Sequence, residues 1–299
     1  MITGRYLRNL QMDNGSSLLP PQYTTLPELF QRAGYRTGLF GKLHLTPQQY
    51  TRDTLHPTHA IPDAQPFLSP SGLGPMPNDP VKRNYGFQHV VNHEDALWGA
   101  YADWLAPRDA QLAKRIEGNH FAIGEVWEKS GHPALPDVGP VNVDPKLHPS
   151  WFIAAQAAEY FKKHSADGPC FMQVSFVDPH HPFDPPADVL RDYPVDDMPL
   201  PGCRESGNVT WPASLRERMP DQQTAVDVGD HHTRLTIACY YAMIDMIDRS
   251  VGYLLETIEA AGQMDNTVFV FVADHGELLG DYGLWRKGSY HYDCLIRVP

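Results

Sequence analysis

Only four cysteines occur in the 299 residues, Cys170, Cys203, Cys239 and Cys294, and no two stand in a Cys-x-x-Cys pair. That excludes a zinc site built on paired cysteines and leaves the redox compartment open. Long apolar runs are missing too, since nothing approaches the roughly 20 residues of a membrane-spanning helix. The first residues, MITGRYLRN, lack the apolar core of a secretory signal. If the natural chain is longer, that says nothing of its leader, and bacterial cytoplasm and periplasm both stay open. Basic excess is absent as well: 24 Lys and Arg face 36 Asp and Glu, a formal net charge of -12. Such a balance argues against a nucleic-acid partner, because no surplus of cations exists to displace counterions from phosphates. A small anionic substrate is still compatible, because a local group of Lys and His overrides the global field at short range.

What is present points to a folded α/β enzyme. At 42% hydrophobic and 20% charged the chain can bury a sizeable core. Its length suits one large domain or two of roughly 150 residues each. The 28 prolines and 23 glycines imply many loops, as expected where a site is assembled from connections. No internal repeat or low-complexity tract is visible.

The spacing in TTLPELFQRAGY predicts a short helix. Thr25 and Glu28 have capping-box spacing, Pro27 lies in the first turn, and Leu26, Leu29, Phe30 and Ala33 would form its buried face. YRTGLFGKLHL then reads as a strand ending at Gly41-Lys42. Residues 46–80, rich in Pro, Thr, Asp and Gln, read as a long surface excursion, and 108–149 as a second irregular stretch. Ser150 is expected to cap the helix WFIAAQAAEYFKKH, followed by the strand CFMQVSFVD. The longest helical pattern runs from about His232 to Ala261, with Ile237, Tyr240, Tyr241, Ile244, Ile247, Val251, Leu254 and Ile258 on its apolar face. After Gly262 the run TVFVFVAD reads as a strand covered on both sides. Helix then strand, twice, predicts a doubly wound, mostly parallel central sheet with helices on both faces. Ligands bind such sheets at the carboxyl ends of the strands, and polar clusters stand there.

Three clusters carry possible chemistry. Asp274-His275 follows the last apolar run directly, so a carboxylate and an imidazole can turn into one cleft and hold a divalent cation. Equally, Asp274 could cap the next turn while His275 packs or faces water. Lys42 and His44 lie two apart after Gly41, a spacing that in an extended segment aims both the same way. An ammonium beside an imidazole suits an anion site, and a solvated pair is the plainer reading. In Asp178-Pro-His-His-Pro-Phe two prolines stiffen a loop carrying His180 and His181, which could also be an ordinary turn. Lys287 shows no partner in sequence.

Taken together, GYRTGLFGKLHL, DPHHPF and VFVADHGELLGDYGLWRKGSYHYDCLIRVP stand in the order and approximate spacing of the sulfatases, within the alkaline-phosphatase-like superfamily. TTLPELFQRAGY and YYAMIDMIDRSVGYLLETI supply the connecting elements, so the resemblance covers essentially the whole chain. It implies a metal-dependent sulfuric ester hydrolase acting on a small anionic sulfate ester. Within the same superfamily a phosphonate monoester or phosphodiester hydrolase is the alternative, and an inactive sulfatase-like binding module is another. By that resemblance Asp274 and His275 are metal ligands, while Lys42, His44, His180 and Lys287 bind the sulfuryl oxygens, assist the leaving group and manage the nucleophile. The metal would be one divalent ion, Ca2+ first, with Mn2+ or Mg2+ as alternatives.

The family's nucleophile is a formylglycine made from a Cys or Ser in a Cys-x-Pro-Ser-Arg motif, and none of the four cysteines here sits in one. The resemblance therefore implies a partial catalytic domain over residues 1–299, truncated at both ends, with the nucleophile upstream of Met1. Turnover by these residues alone is not expected. The oligomeric state, the particular ester and the cell compartment are not legible.

Overall fold

The computed structural model describes residues 2–6, 19, 23–43, 83–94, 97, 99–116, 132–202, 227–288 and 290–298. His44 and all of the expected surface excursion over 46–80 lie outside them. The backbone divides into two compact units, each considered by itself. The first comprises Met1–Phe121, Lys146–Asp178 and Ile247–Asp265, and the second Ala122–Pro145, Pro179–Met246 and Asn266–Pro299.

The first unit holds a parallel sheet of three strands, β1 (Arg36–Gly41), β2 (His89–Asn92) and β3 (Cys170–Ser175), in the order β2-β1-β3. Central β1 is buried from Thr37 onward, whereas every residue of β3 is half-buried. Helix α1 (Leu26–Arg32) lies against one face: its Phe30 ring stacks on Phe171 of β3, centroids 4.5 Å apart. Phe171 is in register with Thr37, so it shares a face with the odd-numbered residues of β1. Helices α2 (Ala100–Leu105) and α3 (Ala110–Arg115) follow β2, and α4 (Pro149–His164) covers the other face, where Tyr160 packs on Phe40. Gly38 belongs to that face too, because a Cβ there would press on the Phe40 ring at 2.8 Å and approach Tyr160. Helices therefore lie on both faces of a parallel sheet, as the helix-strand alternation predicts.

The β1 boundary falls where the sequence places it, and its cause is specific. Gly41 has φ +97°, and a Cβ there would sit 1.9 Å from the Ser175 carbonyl oxygen. Only glycine lets the chain leave the sheet this close to β3.

Two local expectations, in α1 and α4, need correction. Thr25 does cap α1, its Oγ1 accepting from Glu28 N–H at 3.4 Å. The buried side of the helix, however, is Pro27 and Glu28, while Leu26 and Leu29 are about half exposed. The backbone of Pro27 and Glu28 is packed against Gly86, where not even a Cβ would fit, and that close approach overrides the apolar stripe. In α4 the cap is His148, whose Nδ1 accepts from Ser150 N–H, and Ser150 lies in the first turn. There the Ser150 hydroxyl donates to Asp178 Oδ2 at 2.5 Å, because a helix N-terminus favours a carboxylate beside it.

The long helix α6 spans Asp230–Ala260, after a short α5 (Ala187–Leu190). Its buried residues include Leu235, Ile237, Ala238, Cys239, Ala242, Met243, Met246 and Ile258. Of the predicted apolar face, Ile237 and Ile258 are buried, whereas Tyr241 and Ile244 are exposed. Small side chains such as Ala238 and Ala242 let neighbouring segments approach closely, so the buried stripe is rotated from the one read by bulk.

The run Thr267–Ala273 departs further. It forms no strand, and Val268, Val270 and Phe271 are 88%, 79% and 72% exposed. An apolar run makes burial favourable without specifying the surface that provides it, and among the described residues nothing covers this one. The chain then turns through the 274–288 loop into a last short helix, α7 (Asp293–Ile296).

Candidate active site

The second unit collects most of the expected site residues. Its framework is a parallel bridge between Val138 and Phe183. Phe183 N–H donates to the Asp137 carbonyl at 2.8 Å, and Gly139 N–H to the Phe183 carbonyl at 3.0 Å. Phe183 is fully buried and meets Tyr240 of α6 edge-on at 5.9 Å. The DPHHPF loop is thus held at its downstream end by a core aromatic and two backbone hydrogen bonds. His180 and His181 stack just upstream with centroids 4.2 Å apart, and the His181-Pro182 bond is cis.

A second loop closes on itself opposite this framework. Leu278 N–H donates to the Arg286 carbonyl at 3.0 Å, and Gly280 N–H to the Leu284 carbonyl at 2.8 Å. These bonds bring Glu277 to the neck of the loop beside Arg286 and Lys287. Leu279, Tyr282 and Arg286 take positive φ values of 47°, 58° and 62°, backbone strain that the tight winding of this loop imposes. Asp137 ties the two parts together: Arg286 Nη2 donates to its Oδ1 and Oδ2 at 2.8 and 2.7 Å. The segment that pins the histidine loop through its backbone therefore holds the lysine loop through its side chain.

His181 sits at the focus of these charges. Burial first, then the positive fields of His180 and Arg286, hold its imidazole well below the usual range; Lys287 adds to this and Asp137 opposes it. It is neutral at physiological pH. Burial pushes the Glu277 carboxyl up to about 7, with backbone hydrogen bonds and the Lys287 and Arg286 charges only partly opposing it. Burial, followed by the charges of Glu277 and Asp274, raises the Tyr240 phenol to about 12.

His180 Nδ1 lies 2.6 Å from the His181 carbonyl oxygen. A carbonyl only accepts, so this ring nitrogen carries the proton and Nε2 is the basic atom in the neutral ring. His275 is arranged the same way, with Nδ1 donating to the Gly276 carbonyl at 2.8 Å. Its Nε2 faces Asp274 Oδ2 at 3.5 Å, with Asp274 largely exposed. An imidazole whose Nδ1–H is fixed by a carbonyl, with Nε2 beside a carboxylate, is the donor pair a divalent cation takes. Asp274 and His275 therefore fit a cation, as two of its ligands. Among the described residues no group of three or more His, Cys, Asp or Glu could hold a metal.

The remaining expected residues fall elsewhere. Lys42 belongs to the first unit, just past β1, where its N–H donates to the Ser175 carbonyl at 3.0 Å. His44 lies outside the described residues. The structure thus groups His180 and Lys287 around His181 and sets Asp274 beside His275. Sequence reasoning missed Asp137, Arg286 and Glu277. Glu277 and Arg286 lie within the recognised DHGELLGDYGLWRK motif, and only their burial and pairing, which a sequence does not print, separate them from surface charges.

The first unit carries a parallel sheet between helices, and the second a histidine loop, a basic loop and an adjacent Asp-His pair. The family model for Sulfatase matches residues 1–299, and the chain belongs to that family. It is similar to an arylsulfatase of Clostridium perfringens, 25% identical over 92% of this chain and 51% of that one. A choline-sulfatase of Rhizobium meliloti is 28% identical over 90% of this chain and 45% of that protein. Among solved structures, the phosphonate monoester hydrolase of Agrobacterium radiobacter superimposes with a TM-score of 0.71 at 23% identity, over 98% of this chain and 55% of that one. The chain spans about half the length of these relatives. Among the described residues no helix is long and apolar enough to cross a membrane.

Proposed function

We propose that these residues form part of a metal-dependent sulfuric ester hydrolase that cleaves a small sulfate ester. The observation that carries the reading is the convergence of His180, Arg286 and Lys287 on one neutral imidazole, in a chain whose overall charge is -12. Arg286 is already paired with Asp137, so Lys287 is the cation that would hold a sulfuryl group and stabilise the charge that grows on it. Lys287 binds the sulfuryl oxygens. His180, with Nδ1–H fixed on a carbonyl, keeps Nε2 for the proton that goes to the leaving oxygen. Arg286 is held by Asp137 and sets the direction of the loop that carries Lys287. His181 stays neutral and packs against His180, limiting that ring to one orientation.

Asp274 and His275 would hold the cation. When bound, it supplies Lewis-acid polarisation of the ester. Oxygen ligands favour Ca2+ and the imidazole shifts preference toward Mn2+, with Mg2+ third. By the family resemblance Lys42 also binds the sulfuryl oxygens and His44 manages the nucleophile. The formylglycine of the family has no counterpart among these residues, since no cysteine here lies in Cys-x-Pro-Ser-Arg. The substrate ester and the oligomeric state are not assigned.

His275 favours a second reading, because histidine rather than the asparagine of many sulfatases occurs there in relatives that cleave phosphonate monoesters and phosphodiesters. One comparison separates the two. The full reading frame, expressed with any in-frame upstream sequence, should hydrolyse nitrophenyl sulfate with higher kcat/KM than nitrophenyl phenylphosphonate. The reverse order would replace the sulfatase reading with the phosphonate one.

A further inference from the structure

We propose that Glu94, together with Asn92, is a positioning residue for Lys42. The inference rests on the sulfatase reading, in which Lys42 binds the sulfuryl oxygens. A lysine stem is long and flexible, so its ammonium holds an oxyanion in one place only if the backbone beneath it is fixed. Lys42 stands where the sheet stops supplying that constraint. The β1–β2 ladder ends at the pair Gly41 and Asn92, and the β1–β3 ladder at Gly41 and Ser175.

The residues on either side of Lys42 are nevertheless tied down. His93 N–H donates to the Gly41 carbonyl at 3.2 Å, and Lys42 N–H to the Ser175 carbonyl at 3.0 Å. Past these the partner is a side chain: Leu43 N–H donates to Glu94 Oε1 at 3.0 Å. The Asn92 amide, oriented by the acceptors on either side of it, donates to the Gly41 carbonyl and to the same Glu94 oxygen, each at 3.1 Å. One carboxylate oxygen therefore accepts from the residue after Lys42 and is joined through Asn92 to the residue before it. Leu43 is held a second time by its side chain, which packs on buried Leu19 and Tyr85.

Sheet stability alone does not call for this arrangement. Leu43 is half-buried, and an N–H at such a strand end can be satisfied by water. A carboxylate placed two residues past the last ladder pair instead extends the registration of β1 on β2, and it does so over the residue that bears the ammonium. Glu94 thus acts through Lys42, not on the ester. A double-mutant cycle separates that role from a general contribution to the fold.

The full reading frame, with any in-frame upstream sequence, would be assayed on nitrophenyl sulfate as parent, Lys42→Ala, Glu94→Ala and the double variant. Lys42→Ala should lower kcat/KM at least about 100-fold, and Glu94→Ala about 10-fold to 100-fold. The double variant should fall no more than about twofold below Lys42→Ala alone. Glu94→Gln keeps an oxygen for Leu43 N–H and should recover most of the loss. Asn92→Ala, which leaves the Glu94 bond to Leu43 in place, should show a smaller loss with the same dependence on Lys42. It carries the test if Glu94→Ala does not fold. Calorimetric affinity for inorganic sulfate, read on the same proteins, should follow the same order.

The outcomes separate the two claims. A parent with neither turnover nor sulfate binding, or a Lys42→Ala protein as active as the parent, would sink the sulfatase reading of Lys42 and this inference with it. Loss in Lys42→Ala without loss in Glu94→Ala or Asn92→Ala would leave that reading standing and overturn the inference. Equal losses from Glu94→Ala with and without Lys42 would show a role in the fold alone and overturn it too, as would a glutamine variant no better than the alanine one.

Discussion

Replacing Lys287 by alanine in the full reading frame is expected to lower kcat on nitrophenyl sulfate by roughly 100-fold to 1,000-fold. That is the range lost when one preorganised donor to a developing anion is removed. Lys287 is half-buried at the loop neck, next to Arg286 and within the field that acts on His181. The side chain belongs to no buried apolar cluster, so the thermal midpoint should move little. A Lys287→Arg protein should recover part of the loss, because charge is restored while the compact ammonium geometry is not. Steady-state kinetics and a melting curve on the same preparations decide the matter. Unchanged kcat with an unchanged fold would remove Lys287 from the site.

The second large effect is expected at Gly276. Its backbone runs so close to α7 that a Cβ would meet the Cys294 carbonyl oxygen at 1.9 Å, and its N–H donates to the Leu295 carbonyl at 2.8 Å. Gly276→Ala must therefore push apart the 274–288 loop and the C-terminal turn. Overpacking of this kind costs about 3 kcal/mol. The displaced residue is the one whose carbonyl accepts from His275 Nδ1, so the loop carrying Asp274 and His275 loses its orientation too. Urea denaturation with and without Ca2+ would read both consequences. The variant should unfold at lower urea and gain less from added cation than the parent does. An alanine tolerated at parental stability would show that this close approach does not define the loop.

Much of the fold was legible because its signals are local. Thr25 three residues before Glu28 announced the start of α1, and Gly41 marked the end of β1 where the backbone passes Ser175. Burial was less legible. Leu26 and Leu29 have helical spacing, yet Glu28 is the side chain turned inward, because Gly86 packs on its backbone. His148 took the cap expected of Ser150, since an imidazole nitrogen accepts a backbone N–H as well as a hydroxyl does. The Thr267–Ala273 run declared its apolarity and nothing about a neighbour to cover it.

The candidate site divides in the same way. Asp274, His275, His180 and Lys287 were readable from motif order, and the second unit holds all four. Asp137 was not, because its two roles are long-range: it is 149 residues from Arg286, whose guanidinium it binds, and its carbonyl pins Phe183. No periodicity or spacing reports a contact of that separation. Glu277 was visible as a letter in the motif, but its raised affinity for a proton comes from burial at the loop neck. Lys42 was legible as a loop residue after β1, and the structure places it there.

The most direct test of the central claim is turnover of nitrophenyl sulfate by the full reading frame, before chelation, after EDTA, and after restoring Ca2+. The account predicts hydrolysis that is lost on chelation and recovered with the cation, and that an Asp274→Asn, His275→Ala protein does not recover. Turnover indifferent to chelation and to both substitutions would contradict it.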